Sequence, residues 1–192
     1  MKVIKTILKI LLILLIVYLI SAFLAKSSYI VERSAIINAP QKLVYIHLGI
    51  LRNWENWSPW KEMDPTVVNT YEGPDGKTGS IMKWVGDKTG AGQIELLTVD
   101  PPKYVKYKLK FNGPPDMGSI GTFQLSEIAA DKTKVVWTDA GDIPFIFRPI
   151  NMFWGMDKML GPDFEHGLAN LESLSSNQYR EALKVINTDS IQ

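Results

Sequence analysis

Side chains able to carry out chemistry are sparse in this 192-residue chain. There is no cysteine, which rules out thiolate nucleophiles, disulfides and cysteine-ligated metals. The two histidines, His47 and His166, stand alone, with no HExxH and no partner at ligand spacing. GPDGKTG, residues 73–79, is only superficially a phosphate loop: the motif needs glycine six residues before Lys77, where Tyr71 stands. It reads as a hairpin turn. No GxSxG marks an activated serine. Carboxylates are plentiful, among them Asp64, Glu72, Asp139, Asp142, Asp163 and Glu165. They read mostly as solvated strand ends or helix caps. With a helix starting at Pro162, Asp163 and Glu165 would suit its dipole. Acid–base work inside a cavity would fall to Arg33, Tyr107 or Asp139. No catalytic residue, cofactor or metal is assigned.

The chain is nearly neutral, at +1, but its charge is unevenly placed. Lys2, Lys5, Lys9 and Lys26 precede the first acid, Glu32, which leaves 17 basic against 20 acidic residues beyond them. A mildly acidic remainder argues against nucleic acid, whose phosphates call for a basic face. Every residue from Ile10 to Ile20 is apolar. Extended over 7–25, the run approaches the ~20 residues that cross a bilayer. Each central Leu or Ile favours insertion by roughly 0.3–0.6 kcal/mol, and Lys9 can snorkel. A cleaved signal peptide fits less well, because Ala25 would have Phe23 at the −3 position. The segment is expected to be a single-pass anchor. The lysine asymmetry puts its N-terminus in the cytoplasm and the following domain on the extracytoplasmic side.

Residues 29–37 read as a strand with Tyr29, Val31, Ala35 and Ile37 on one face and Arg33 as the exception. NAP, 38–40, opens a short helix that ends near Gly49. A second starts near Leu51, and Pro59 is expected to stop it near Trp57. Strands then fall near 67–72, 79–86, 91–99, 103–111, 118–128 and 133–140, separated by Gly- and Pro-rich turns. KYVKYKLKF, 103–111, alternates most cleanly, with Val105, Tyr107, Leu109 and Phe111 opposite three lysines. Leu160, Phe164, Leu168, Leu171 and Leu174 repeat at helical spacing, and Pro162 is expected to start or kink that helix. The stretch 150–160 would supply its first turns. The organisation expected is an anchor and linker over 1–28, a domain over 29–175 and a polar, frayed tail over 176–192.

Strand, two short helices, six strands and a long helix make an α+β helix-grip fold, with a seven-stranded antiparallel sheet curled around the last helix. RSAIINAP, WSPWKEMDP and the late DFEHGLANLE resemble the polyketide cyclase/dehydrase-like (START-like, SRPBCC) superfamily, over about residues 30–174. The resemblance implies a deep apolar cavity between sheet and helix. Candidate ligand-binding residues are Trp57, Trp60, Met82, Trp84, Tyr107, Phe111, Phe123, Trp137, Phe145, Phe153, Met156, Leu160 and Phe164. Segments 111–119 and 141–154 are candidate gates. Three functions follow. The first is a membrane-anchored domain that binds a hydrophobic small molecule or lipid. The second is a cyclase or dehydratase acting on a polyketide or aromatic substrate. The third is an envelope interaction protein with a vestigial cavity. In LRNWENWSPW, 51–60, Trp57 and Trp60 are expected to cork the gap between the first two strands, with Trp60 on the path to the next strand.

Overall fold

The computed structural model describes residues 2–113 and 117–189. An N-terminal helix α1 (Lys2–Leu24) leads into strand β1 (Ser28–Ile37). Helix α2 (Gln41–Gly49), a 3-10 turn (Leu51–Asn56) and the short helix α3 (Pro59–Met63) follow. The strands β2 (Val68–Glu72), β3 (Ile81–Gly86), β4 (Gly90–Asp100), β5 (Tyr104–Phe111), β6 (Met117–Ala129) and β7 (Lys132–Asp142) come next. A 3-10 turn (Phe145–Phe147), helix α4 (Arg148–Trp154) and the long helix α5 (Met156–Asp189) complete the chain. The sheet is seven-stranded in the order β1-β7-β6-β5-β4-β3-β2, antiparallel throughout. This is the α+β helix-grip arrangement read from the sequence.

Alternation sets the concave face. Val31 and Ile37 of β1, Val105 and Tyr107 of β5, Phe123 and Leu125 of β6, and Val135 and Trp137 of β7 all turn inward and are buried. Phe164, Leu168 and Leu171 of α5 meet them. Arg33 shares the inward parity of β1, yet it stays half-exposed. Its Nε donates to Glu165 at 2.6 Å, and its Nη1 and Nη2 donate to Asp157 at 2.8 and 3.2 Å.

Two prolines behave differently from expectation. Pro59 does not merely end a helix; it occupies the first turn of α3, where its fixed φ fits and no N–H is needed. Trp60 therefore sits on a helix rather than on a free path to β2. Pro162 lies inside α5 and forgoes one bond, to the Lys158 carbonyl, without ending the helix. The break lies earlier, at Gly155, whose φ of 47° favours glycine. Its N–H donates to the Asn151 carbonyl at 2.8 Å, while the Asn151 side chain accepts the Met156 N–H at 2.9 Å. So the first acid of α5 is Asp157, not Asp163. Residues 176–189, expected to be frayed, continue α5.

The helix α1 is long and apolar enough to cross a membrane. It packs against the 3-10 turn at Phe145–Phe147 and helix α4, and its Ala22 is buried. The Tyr18 hydroxyl donates to the Ile146 carbonyl. The Ile143 N–H donates to the Ser27 carbonyl at 2.8 Å.

Candidate functional site

A cavity of about 670 Å³ opens between the concave sheet face, α3, α4 and the start of α5. Its volume lies within the ~300–1,000 Å³ of small-molecule sites. Of the candidate residues, Trp60, Met82, Trp84, Tyr107, Phe111, Met156, Leu160 and Phe164 line it. Trp57, Phe123 and Trp137 do not. They are the largest fully buried side chains and form a packed layer under the cavity floor. Trp137 lies between Phe164, stacked at 4.0 Å with planes 2° apart, and Trp57, edge-on at 5.6 Å. Phe145 and Phe153 face outward, with Phe153 77% exposed. Alternation identifies an inward side chain but not whether a partner fills the space above it, which is why core and wall read alike in the sequence. In the WSPW stretch the two roles split: Trp57 is core and Trp60 is wall.

Further strand, helix and turn positions complete the wall. Trp54, Ile94, Leu109, Ile143, Ile150 and Met159 also line it. The segment 141–154 contributes Ile143, Pro144, Phe147 and Ile150. Of the other expected gate, Phe111, Met117, Gly118 and Ser119 line the cavity, whereas residues 114–116 lie outside the described residues.

Several polar side chains, Glu55, Lys61, Asn69 and Lys88 among them, also line the cavity, and one patch of this polar lining is buried. Asp139 of β7 is 3% exposed and lines the cavity. The Tyr29 hydroxyl donates to one of its oxygens at 3.0 Å, and the Ser119 hydroxyl to the other at 2.8 Å. Register explains the convergence. Tyr29 and Ser119 both pair with Gly141, two residues beyond Asp139, which offers no side chain between them. A Cβ there would stand 2.9 Å from the Tyr29 ring. Asp139 itself pairs with Gly121, which pairs in turn with Tyr107. The Tyr107 ring crosses over Gly121: an added Cβ would meet its hydroxyl at 2.2 Å. That hydroxyl accepts Trp137 Nε1–H at 2.9 Å. Burial raises the Asp139 carboxyl above its usual range, against the lowering pull of the Ser119 and Tyr29 bonds. Burial also raises Tyr107 and Tyr29, and the nearby Asp139 adds to both shifts.

Of the three polar candidates, then, Tyr107 and Asp139 reach the cavity. Arg33 does not line it; its guanidinium is taken up by Asp157 and Glu165 of α5. Neither histidine lies in the wall. His47 is buried, its Nε2 2.8 Å from the Gln178 side-chain oxygen, and burial lowers its pKa. His166 meets Glu62 at 3.0 Å on the surface. Asp64 is fully buried, unlike the solvated strand ends and helix caps expected of most carboxylates. Among the described residues no three His, Asp or Glu side chains gather as a metal site.

A curled antiparallel sheet gripping a helix around a mostly apolar cavity defines a helix-grip fold. Solved structures share it. A norcoclaurine synthase point mutant from Thalictrum flavum, bound to a transition-state analogue, superposes with a TM-score of 0.59 at 10% identity, covering 79% of this chain and 96% of that one. A Mesorhizobium loti protein gives 0.54 at 23%, covering 77% and 95%. The di-domain ARO/CYC BexL of the BE-7585A biosynthetic pathway gives 0.54 at 17%, covering 76% of this chain and 45% of that one. At these identities the likeness concerns the fold alone. No curated protein matches the sequence. The family model for polyketide cyclase/dehydrase and lipid transport proteins matches residues 29–175, and the chain belongs to that family.

Proposed function

We propose that this protein is a membrane-anchored receptor that takes a hydrophobic small molecule or lipid from the bilayer into its internal cavity. One observation carries the reading. The segment from Ile143 to Asn151 lines the cavity and also packs against α1. If α1 spans the bilayer, the Tyr18–Ile146 contact holds this segment about 9 Å inside the helix's C-terminal end, at 1.5 Å per residue. Ile146, Met152 and Phe153 are exposed there, where acyl chains would cover them. The segment then acts as a gate between lipid and cavity. The lysines at positions 2, 5 and 9 favour a cytoplasmic N-terminus and an extracytoplasmic domain.

The missing cysteines make the test direct. A polarity-sensitive fluorophore at Phe153→Cys, in the full chain reconstituted in vesicles, should be quenched by spin-labelled acyl chains and shielded from aqueous iodide. Quenching by iodide alone would sink the lateral-access reading. Native mass spectrometry of the full chain extracted from membranes should recover a bound hydrophobe. A membrane-impermeant maleimide should label Lys132→Cys in intact cells if the domain is extracytoplasmic.

Asp139 favours a second reading, an enzyme acting on a polyketide-like or other aromatic substrate with this carboxyl as acid or base. A product formed from membrane extract by the native protein but not by Asp139→Asn would support it. Unchanged ligand in both supports the receptor. The interaction-protein reading required a filled core, and the open cavity speaks against it.

A further inference from the structure

The cavity floor carries an acceptor and a donor side by side, and the receptor reading does not yet use them. We propose that the cavity selects a neutral amphiphile ending in a hydroxyl group, whose O–H donates to Asp139 and whose oxygen accepts from Tyr107. This inference rests on the receptor reading and names its ligand class.

The geometry is set by register. Asp139 and Gly121 are directly paired, and such neighbours stand ~5 Å apart. The Tyr107 hydroxyl occupies the space a Gly121 side chain would take. It therefore comes beside the carboxylate. Tyr107 uses its oxygen to accept from Trp137, and its own proton meets no acceptor among the described residues. Asp139 receives one hydroxyl on each oxygen, and each oxygen keeps a further lone pair. No cationic side chain pairs with it among the described residues. A carboxylate or phosphate head would place a second negative charge against it, and an ether would offer no proton. Of these heads, the hydroxyl is the one that both gives to the acid and takes from the phenol.

The rest of the wall fits a tail. From β7 to β3 the sheet crosses four strand intervals, about 19 Å at ~4.8 Å each. Leu109, Ile94, Met82 and Trp84 line that path. The head would rest near the gate segment, which begins four residues after Asp139 at Ile143.

The test uses the full chain in lipid nanodiscs with three probes of one length: hexadecanol, its methyl ether and hexadecanoic acid. Each competes with a fluorescent hydrophobe for the cavity. The alcohol should bind at least about tenfold tighter than either analogue, the scale of one hydrogen bond to a charged group. Asp139→Asn, close in shape, should reduce that discrimination to below about threefold. Tyr107→Phe should weaken the alcohol and the ether together, because the oxygen of each loses the phenol as its donor. Equal binding of alcohol and ether to the native protein overturns the proposal and leaves the receptor reading standing. Full discrimination retained in Asp139→Asn also overturns it, as does unchanged alcohol binding in Tyr107→Phe. Displacement by none of the three overturns the receptor reading itself.

Discussion

Two buried aspartates face opposite fates in this domain. Asp64 ends α3 and is fully buried, yet it accepts five hydrogen bonds. Thr66 gives its N–H and hydroxyl, Thr89 gives both of its own, and Lys88 gives its N–H. Led by the Thr66 hydroxyl, these donors pull the Asp64 carboxyl well below the usual carboxylate range despite burial. Asp139 has two donors, and burial wins: its carboxyl is pushed up. Asp64 ties the α3–β2 link to the turn between β3 and β4, with all its capacity used inside the protein. Asp139 borders a void and retains capacity for something else. What separates the two acids is the balance of donors against burial: the hydrogen bonds lead at Asp64 and burial leads at Asp139.

That contrast can be strained in order of effect. The largest loss should come from Trp137→Ala, two residues from Asp139 in the packed layer beneath the cavity. It should cost about 3–5 kcal/mol in denaturant unfolding. A much smaller loss would mean that the floor under Asp139 is loosely packed. Next, Asp64→Asn should lower the melting temperature by several degrees, because an amide cannot accept from all five donors. Gly86→Ala should mimic it, since an added Cβ would come 2.4 Å from the Asp64 carboxylate. Asp139→Asn should leave the melting temperature unchanged or raise it, because it removes a poorly solvated charge. A fall as large as that of Asp64→Asn would erase the contrast.

A pH series sharpens the same comparison. The lowered carboxyl of Asp64 contributes stability at neutral pH that is lost as pH falls through and below the ordinary carboxylate value of ~3.9. The raised carboxyl of Asp139 contributes stability that is present below ~3.9 and lost as pH rises through its folded value. The native-minus-variant difference should therefore shrink on acidification for Asp64→Asn. For Asp139→Asn it should move against the native protein as pH rises. Parallel pH profiles would refute the assignment. Smallest of all, Phe145→Ala on the outer face should change the detergent-solubilised domain's stability by no more than ~0.5 kcal/mol.

Much of the fold was legible because alternation and turn chemistry speak locally. The lysine face of 103–111 defined β5 and its inward residues before any neighbour was known. The helix boundaries at 148–162 were less so. Proline is the loudest local signal there, but Gly155 makes the break and Pro162 is absorbed into α5. The site was legible in its apolar half. Trp60, Met82 and Trp84 stand out as inward aromatics and a thioether, while Trp57 and Trp137, equally conspicuous, prove to be core. The polar half was named only as three loose candidates. Tyr29 and Ser119 had no signal of their own, since strand register alone brings them to Asp139. Arg33 looked buried by parity, and only α5 shows which acids turn it away.

Gly141 has no group that could bind, donate or react, and no search by side-chain chemistry would select it. Yet it lies opposite both hydroxyl donors, and its missing methyl group is what lets them lean onto one carboxylate. Here the information is stored as an omitted atom. A homologue with alanine at this position would keep every polar residue of the patch and still lose its geometry.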